Sequence, residues 1–210
     1  MTALNRLPNL LTGLRIVLAI GVFLAIAYAA GVLPLQSARP HVDAQRGILV
    51  WSAIAFAIGA ITDFFDGWLA RKLHAQSVWG AILDPIADKI AVGGVIVGLC
   101  AFNPTPAMVV AGGAILFREL FVSGLREIGA SRGLAFPVTK LAKWKTTIQL
   151  VALVAELLAA GLAQPGLQAA ADGLMWLAAV LTLWTGGEYA LAAARGLKEH
   201  SLTSHPGKRR

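Results

Sequence analysis

Charge and sulfur are both scarce in this sequence. Asp, Glu, Lys and Arg make up 14% of its 210 residues, against about a quarter in a water-soluble domain, and that deficit excludes an ordinary soluble fold. Cysteine occurs once, at Cys100, so no intramolecular disulfide can form. The four histidines, His41, His74, His200 and His205, are scattered and make no zinc-site spacing with it. Redox chemistry and structural zinc drop out. Internal repeats and low-complexity tracts are also missing.

What the chain has instead is apolar length: 57% of its residues are hydrophobic, with a mean hydropathy of +0.70. Runs long enough to cross a bilayer cover residues 10–33, 47–69, 78–102, 106–125, 146–164 and 167–191, each flanked by charge, Pro or Gly. Pro8, Pro34, Pro104, Pro106, Pro137 and Pro165 stand where helices would start or stop. Six spans of about 20 residues use roughly 120 positions, which leaves no room for a separate soluble catalytic domain. The expected fold is all-α, an integral membrane protein with six transmembrane helices. Residues 1–200 form one domain in this reading, and 201–210 a basic cytoplasmic tail.

The net charge of +7 suits either nucleic acid or an anionic membrane surface. The basic residues lie between apolar runs rather than in one stripe, so the membrane reading wins and a nucleic-acid partner is not expected. Cytoplasmic loops hold the excess of Lys and Arg in membrane proteins. Arg6, Arg15, Arg71, Lys72, Arg126, Arg132, Lys140, Lys143, Lys145, Arg195, Lys198, Lys208, Arg209 and Arg210 all fall on one side of a six-span chain, and Arg39 and Arg46 on the other. Both termini are therefore expected in the cytoplasm, with the protein in the inner (cytoplasmic) membrane. A competing reading takes residues 16–27 as a signal peptide cleaved near Ala27-Tyr28-Ala29, which would leave five spans.

The second and third spans carry an unusual set of acids. Asp63 and Asp66, three apart, share one helix face; Asp84 and Asp88, four apart, share another, with Gly80 a turn earlier. A carboxylate at mid-bilayer costs roughly 2.5–3.5 kcal/mol, so four are not idle. Their place near the cytoplasmic helix ends lowers that cost, and two divalent cations with a preference for oxygen ligands would neutralise them. Two alternatives stand beside this di-metal site: a structural salt-bridge network with Arg71, Lys72, Lys89 and Arg118, and a cation or proton pathway.

The order Asp63-x-x-Asp66-Gly67-x-x-Ala70-Arg71, eight residues, Gly80-x-x-x-Asp84-x-x-x-Asp88 resembles the complete signature of the CDP-alcohol phosphatidyltransferases. The resemblance implies six transmembrane helices, usually a homodimer, and transfer of a phosphatidyl group from CDP-diacylglycerol to an alcohol with release of CMP. It implies metal ligation by Asp63, Asp66 and Asp84, with two Mg²⁺ ions as the expected metal and Mn²⁺ as a substitute. Asp88 is implied as the general base, able to share the metal role. Gly67, Ala70 and Gly80 would admit the cytidine and phosphates close to the helices, with Arg71 at the pyrophosphate.

Further residues are similar to the branch of that family that uses glycerol 3-phosphate. They are Asn9-x-Leu11-Thr12-x-x-Arg15, Arg118-Glu119 followed by Gly124-Leu125-Arg126-Glu127, and Lys143-x-Lys145-Thr146-Thr147-x-Gln149. This resemblance covers about residues 5–150 and makes the first span a retained part of the enzyme. Ala142 departs from the Gly often found before the lysine. The implied acceptor, sn-glycerol 3-phosphate, carries a dianion, for which Arg118, Arg126, Lys143 and Lys145 are the first candidates, then Lys140 and Arg15. A topological role for these loop charges is the alternative, preferred for Arg132. Inositol phosphate, serine and phosphatidylglycerol remain as other acceptors.

Elsewhere, Glu156 inside the fifth span and Glu188 near the last helix end are functional candidates by position, with a hydrogen-bonded or protonated packing role preferred, and Gly94-x-x-x-Gly98 and Gly112-Gly113 read as places of close helix approach. Trp51, Trp79, Trp144 and Trp184 are candidate interface anchors.

Overall fold

A computed structural model describes residues 7–34, 36–72, 78–133 and 140–203. Among these, six α-helices follow one another: α1 (Leu7–Ala30), α2 (Val42–Lys72), α3 (Val78–Phe102), α4 (Gly112–Ser131), α5 (Lys140–Leu162) and α6 (Pro165–Thr203). Each contains a stretch long and apolar enough to cross a membrane, as the apolar runs predict. In hydrocarbon the backbone has no water to bond, so a helix, which satisfies its own N–H and C=O groups, is the favoured local structure. The helices overrun the apolar runs at several ends because polar turns outside hydrocarbon stay helical. Thus α2 begins at Val42 rather than 47, and α6 continues past residue 191 to Thr203, across the expected boundary at 200. The tail from 204 onward lies outside the described residues.

The first helix ends earlier than residue 33. Gly31 adopts φ +73° directly after it, a left-handed turn that only glycine makes without strain. A π-helical turn, Ala107–Ala111, follows Pro106 and runs straight into α4.

Helix α1 packs against α3 and α2, α5 against α6 and α2, and α4 against α6. The shared core draws Ile26, Leu49, Ile96, Leu99, Ile115, Leu153 and Met175 from all six. Close approach of α1 to α3 depends on two glycines: a Cβ on Gly94 would lie 3.1 Å from Phe23, and one on Gly98 would lie 3.0 Å from Ile26. Gly112 similarly faces Ile96, whereas Gly113 has open space beside it, so only one of that pair serves packing. The outer surface is apolar: Phe117 is 77% exposed and Trp51 71%. Such a surface suits lipid rather than water. At the end of the bundle where α5 turns into α6, buried Glu156 accepts a hydrogen bond from Gln168 Nε2 at 2.8 Å, and the same nitrogen donates to Asp172 at 3.1 Å.

Candidate active site

The last turns of α2 and the first turns of α3 bring the acid residues together. Asp84 and Asp88 stand one turn apart on α3, separated by Pro85, which interrupts one rung of the helix ladder beside Asp84. Gly80 is buried at the start of the same helix. Asp63 reaches the site from α2, and α1 supplies what the three carboxylates gather around. The Arg15 guanidinium pairs with Asp63 and holds one nitrogen 4.0 Å from Oδ1 of both Asp84 and Asp88. Thr12, one turn earlier on α1, donates its hydroxyl to Asp84 Oδ1 at 2.8 Å.

One cationic nitrogen thus lies within 4.0 Å of oxygens from three carboxylates on two helices. The donor set fits a hard cation in its chemistry, since hard divalent ions take carboxylate oxygens of this kind. Among the described residues no three acidic, His or Cys side chains are drawn in to metal-ligating distance of one another. Asp66, Gly67, Ala70 and Arg71 sit on α2, close along the chain to Asp63, but their side chains lie outside the described residues, as do those of Lys140 and Lys143 on α5.

Among the expected salt-bridge partners, Lys89 donates to the carbonyl of Pro85 at 3.2 Å, while Arg118 lies in a different cluster, between α4 and α6. There its Nε donates to the carbonyl of Thr182 at 3.1 Å, Nη2 to Thr185 at 3.2 Å, and Nη1 to Glu119 at 3.2 Å. Gly186 makes room for it: a Cβ there would fall 2.8 Å from the Arg118 side chain. Glu119 also pairs with Lys145 from α5, so a single carboxylate holds two buried cations. Arg126, exposed on α4, places its guanidinium 5.3 Å from the centre of the Tyr189 ring on α6.

The candidate residues therefore form two groups. Asp63, Asp84 and Asp88 meet through Arg15 on α1 to α3; Arg118 and Lys145 meet through Glu119 on α4 and α5. Sequence reasoning placed Arg15 last among the phosphate-binding candidates and gave no role to Thr12 or Glu119. A signal was present, since Thr12 and Arg15 are polar residues three apart on one face of an otherwise apolar span.

The chain is 37% identical to the CDP-diacylglycerol–glycerol-3-phosphate 3-phosphatidyltransferase of Cereibacter sphaeroides, over 92% of this chain and 97% of that protein. It is 38% identical to the protein of the same name from Salmonella paratyphi A, over 90% and 95%, and 41% identical to that of Rickettsia bellii, over 65% and 75%. The sequence profile described as CDP-alcohol phosphatidyltransferase matches residues 5–184. Members of this family use a divalent metal. With the profile spanning every helix that builds the acid site, the chain belongs to the CDP-alcohol phosphatidyltransferase family.

Proposed function

We propose that the protein transfers the phosphatidyl group of CDP-diacylglycerol to sn-glycerol 3-phosphate, giving phosphatidylglycerophosphate and CMP in phospholipid synthesis. The observation that carries this reading is the convergence of Asp63, Asp84 and Asp88 on one cationic position, in a chain similar to relatives of that activity over nearly its whole length.

In this reading Asp63, Asp66 and Asp84, with Asp88 beside them, would hold two Mg²⁺ ions, for which Mn²⁺ would substitute. Bound there, divalent metal would supply Lewis-acid polarisation of the attacked phosphorus and offset charge on the departing CMP. Asp88 accepts the proton of the acceptor hydroxyl. The acceptor oxygen forms a new bond to the phosphorus that carries the diacylglycerol, and the bond from that phosphorus to the CMP oxygen breaks with its electron pair leaving on CMP. Gly67, Ala70 and Gly80 admit the nucleotide, and Arg71 contacts the pyrophosphate. The acceptor dianion is bound by Arg118, Arg126, Lys140, Lys143 and Lys145, of which Arg118 and Lys145 are oriented by Glu119. The protein works as a homodimer in the cytoplasmic membrane, with the acid end of the bundle facing the cytoplasm, where the water-soluble substrate, glycerol 3-phosphate, and the water-soluble product, CMP, exchange.

The test is CMP release by purified protein in detergent with Mg²⁺ and CDP-diacylglycerol, comparing glycerol 3-phosphate, inositol phosphate, serine and phosphatidylglycerol. Turnover is expected only with glycerol 3-phosphate, and is expected to stop with EDTA. Turnover with another acceptor instead would overturn the acceptor assignment. Asp88→Asn is expected to reduce kcat by at least about 100-fold while the protein stays folded; retained turnover would remove Asp88 from the base role.

A further inference from the structure

We infer that Thr12 is a positioning residue for the divalent-metal site, fixing the Asp84 carboxylate so that one of its oxygens is held ready for a cation. The inference rests on the metal-site reading of Asp84. Thr12 is 4% exposed, and its hydroxyl donates across 72 positions of sequence to Asp84 Oδ1 at 2.8 Å. A bond to Oδ1 restrains rotation of the carboxylate and leaves Oδ2 as the oxygen with more free lone-pair density.

Without that anchor, Asp84 is a half-exposed side chain on a helix turn interrupted by Pro85, free to turn either oxygen towards the site. Arg15, one turn along α1, also comes to Asp84, at 4.0 Å, but its effect on metal has the opposite sign. A fixed positive charge among the ligands opposes a second cation, whereas the neutral hydroxyl orients the ligand without that repulsion. On the face of α1 turned to the acids, Thr12 is therefore the group that favours metal. Partners of ligating carboxylates typically change metal affinity by about 10–100-fold when removed.

The test is Mn²⁺ titration followed by electron paramagnetic resonance on purified full-length protein in detergent, without lipid substrate, so that the readout is independent of turnover. Thr12→Val removes the donor at nearly constant shape, Thr12→Ala removes it with less bulk, and Thr12→Ser retains it. Both donor-less variants are expected to raise the Mn²⁺ dissociation constant about 10-fold or more, with Thr12→Ser within about threefold of the parent. Circular dichroism melting without metal shows which variants are folded, and either donor-less variant suffices. Unchanged Mn²⁺ affinity in a folded Thr12→Val or Thr12→Ala protein overturns the inference. Asp84→Asn separates the two readings: weakened binding there with unchanged binding in Thr12→Val removes Thr12 alone, whereas unchanged binding in Asp84→Asn removes the metal-site reading, and the inference with it.

Discussion

Glu119 is the residue that joins the buried cations of α4 and α5. It holds Arg118 and Lys145 at once, both nearly buried, and without its charge two cations would face each other in a low-dielectric interior. Losing one partner of a buried ion pair costs about 3–5 kcal/mol; with Glu119 a quarter exposed, about 2–3 kcal/mol is expected. Glu119→Gln should therefore lower the thermal midpoint by several degrees and raise the KM for the acceptor more than it lowers kcat. Scanning calorimetry or a thermal-shift assay, read beside steady-state kinetics, checks both parts. An unchanged midpoint would mean that Arg118 is held by Thr182 and Thr185 alone. Arg118 itself illustrates the reach of sequence reasoning: its charge marked it as a phosphate binder, but its bonds to α6 came from residues more than sixty positions away, which no local pattern encodes.

At the level of elements, the contact between α1 and α3 links packing to chemistry, because α1 brings Thr12 and Arg15 to acids carried by α3. Gly98→Val would drive a branched side chain into Ile26, where a single Cβ already falls at 3.0 Å. Overpacking of this kind costs about 1–3 kcal/mol, and the displaced α1 should also weaken Mn²⁺ binding. Gly113→Ala, with open space at its Cβ position, is the matched control, and its thermal midpoint should hold or rise slightly since alanine favours helix. Equal midpoints for the two variants would show that α1 and α3 have slack. The six spans were legible because an apolar run of about twenty residues matches the thickness of a bilayer crossed by a helix, and α3 began and ended where its run did. Helix ends were less so: α2 and α6 extend through polar turns, and a π-helical turn such as Ala107–Ala111 leaves no periodicity that separates it from an α-helix. That Asp84 and Asp88 share one helix face was readable from their spacing alone, whereas the meeting of Asp63, Asp84 and Asp88 at Arg15 depends on how three helices pack.

For the whole molecule, the decisive quantity is orientation. With an even number of spans, the link between α1 and α2 lies opposite the ends that carry the acids and the basic loops, and Lys and Arg crowd the latter side. Cys100 is the only native thiol, so Cys100→Ala gives a background in which single cysteines report topology. Ser37→Cys, exposed between α1 and α2, should react with a membrane-impermeant maleimide in intact spheroplasts. Ser131→Cys, exposed at the end of α4, should react only after permeabilisation. The reverse pattern would place the acid site outside the cell membrane and overturn the proposed orientation.

The pairing of Arg15 with the aspartates also has a meaning in time. A chain emerging from the ribosome delivers α1 first, then Asp63, then Asp84 and Asp88, and only afterwards Arg118, Arg126 and Lys145. Arg15, the counter-ion of Asp63, Asp84 and Asp88 in the folded protein, is thus made before any of the three.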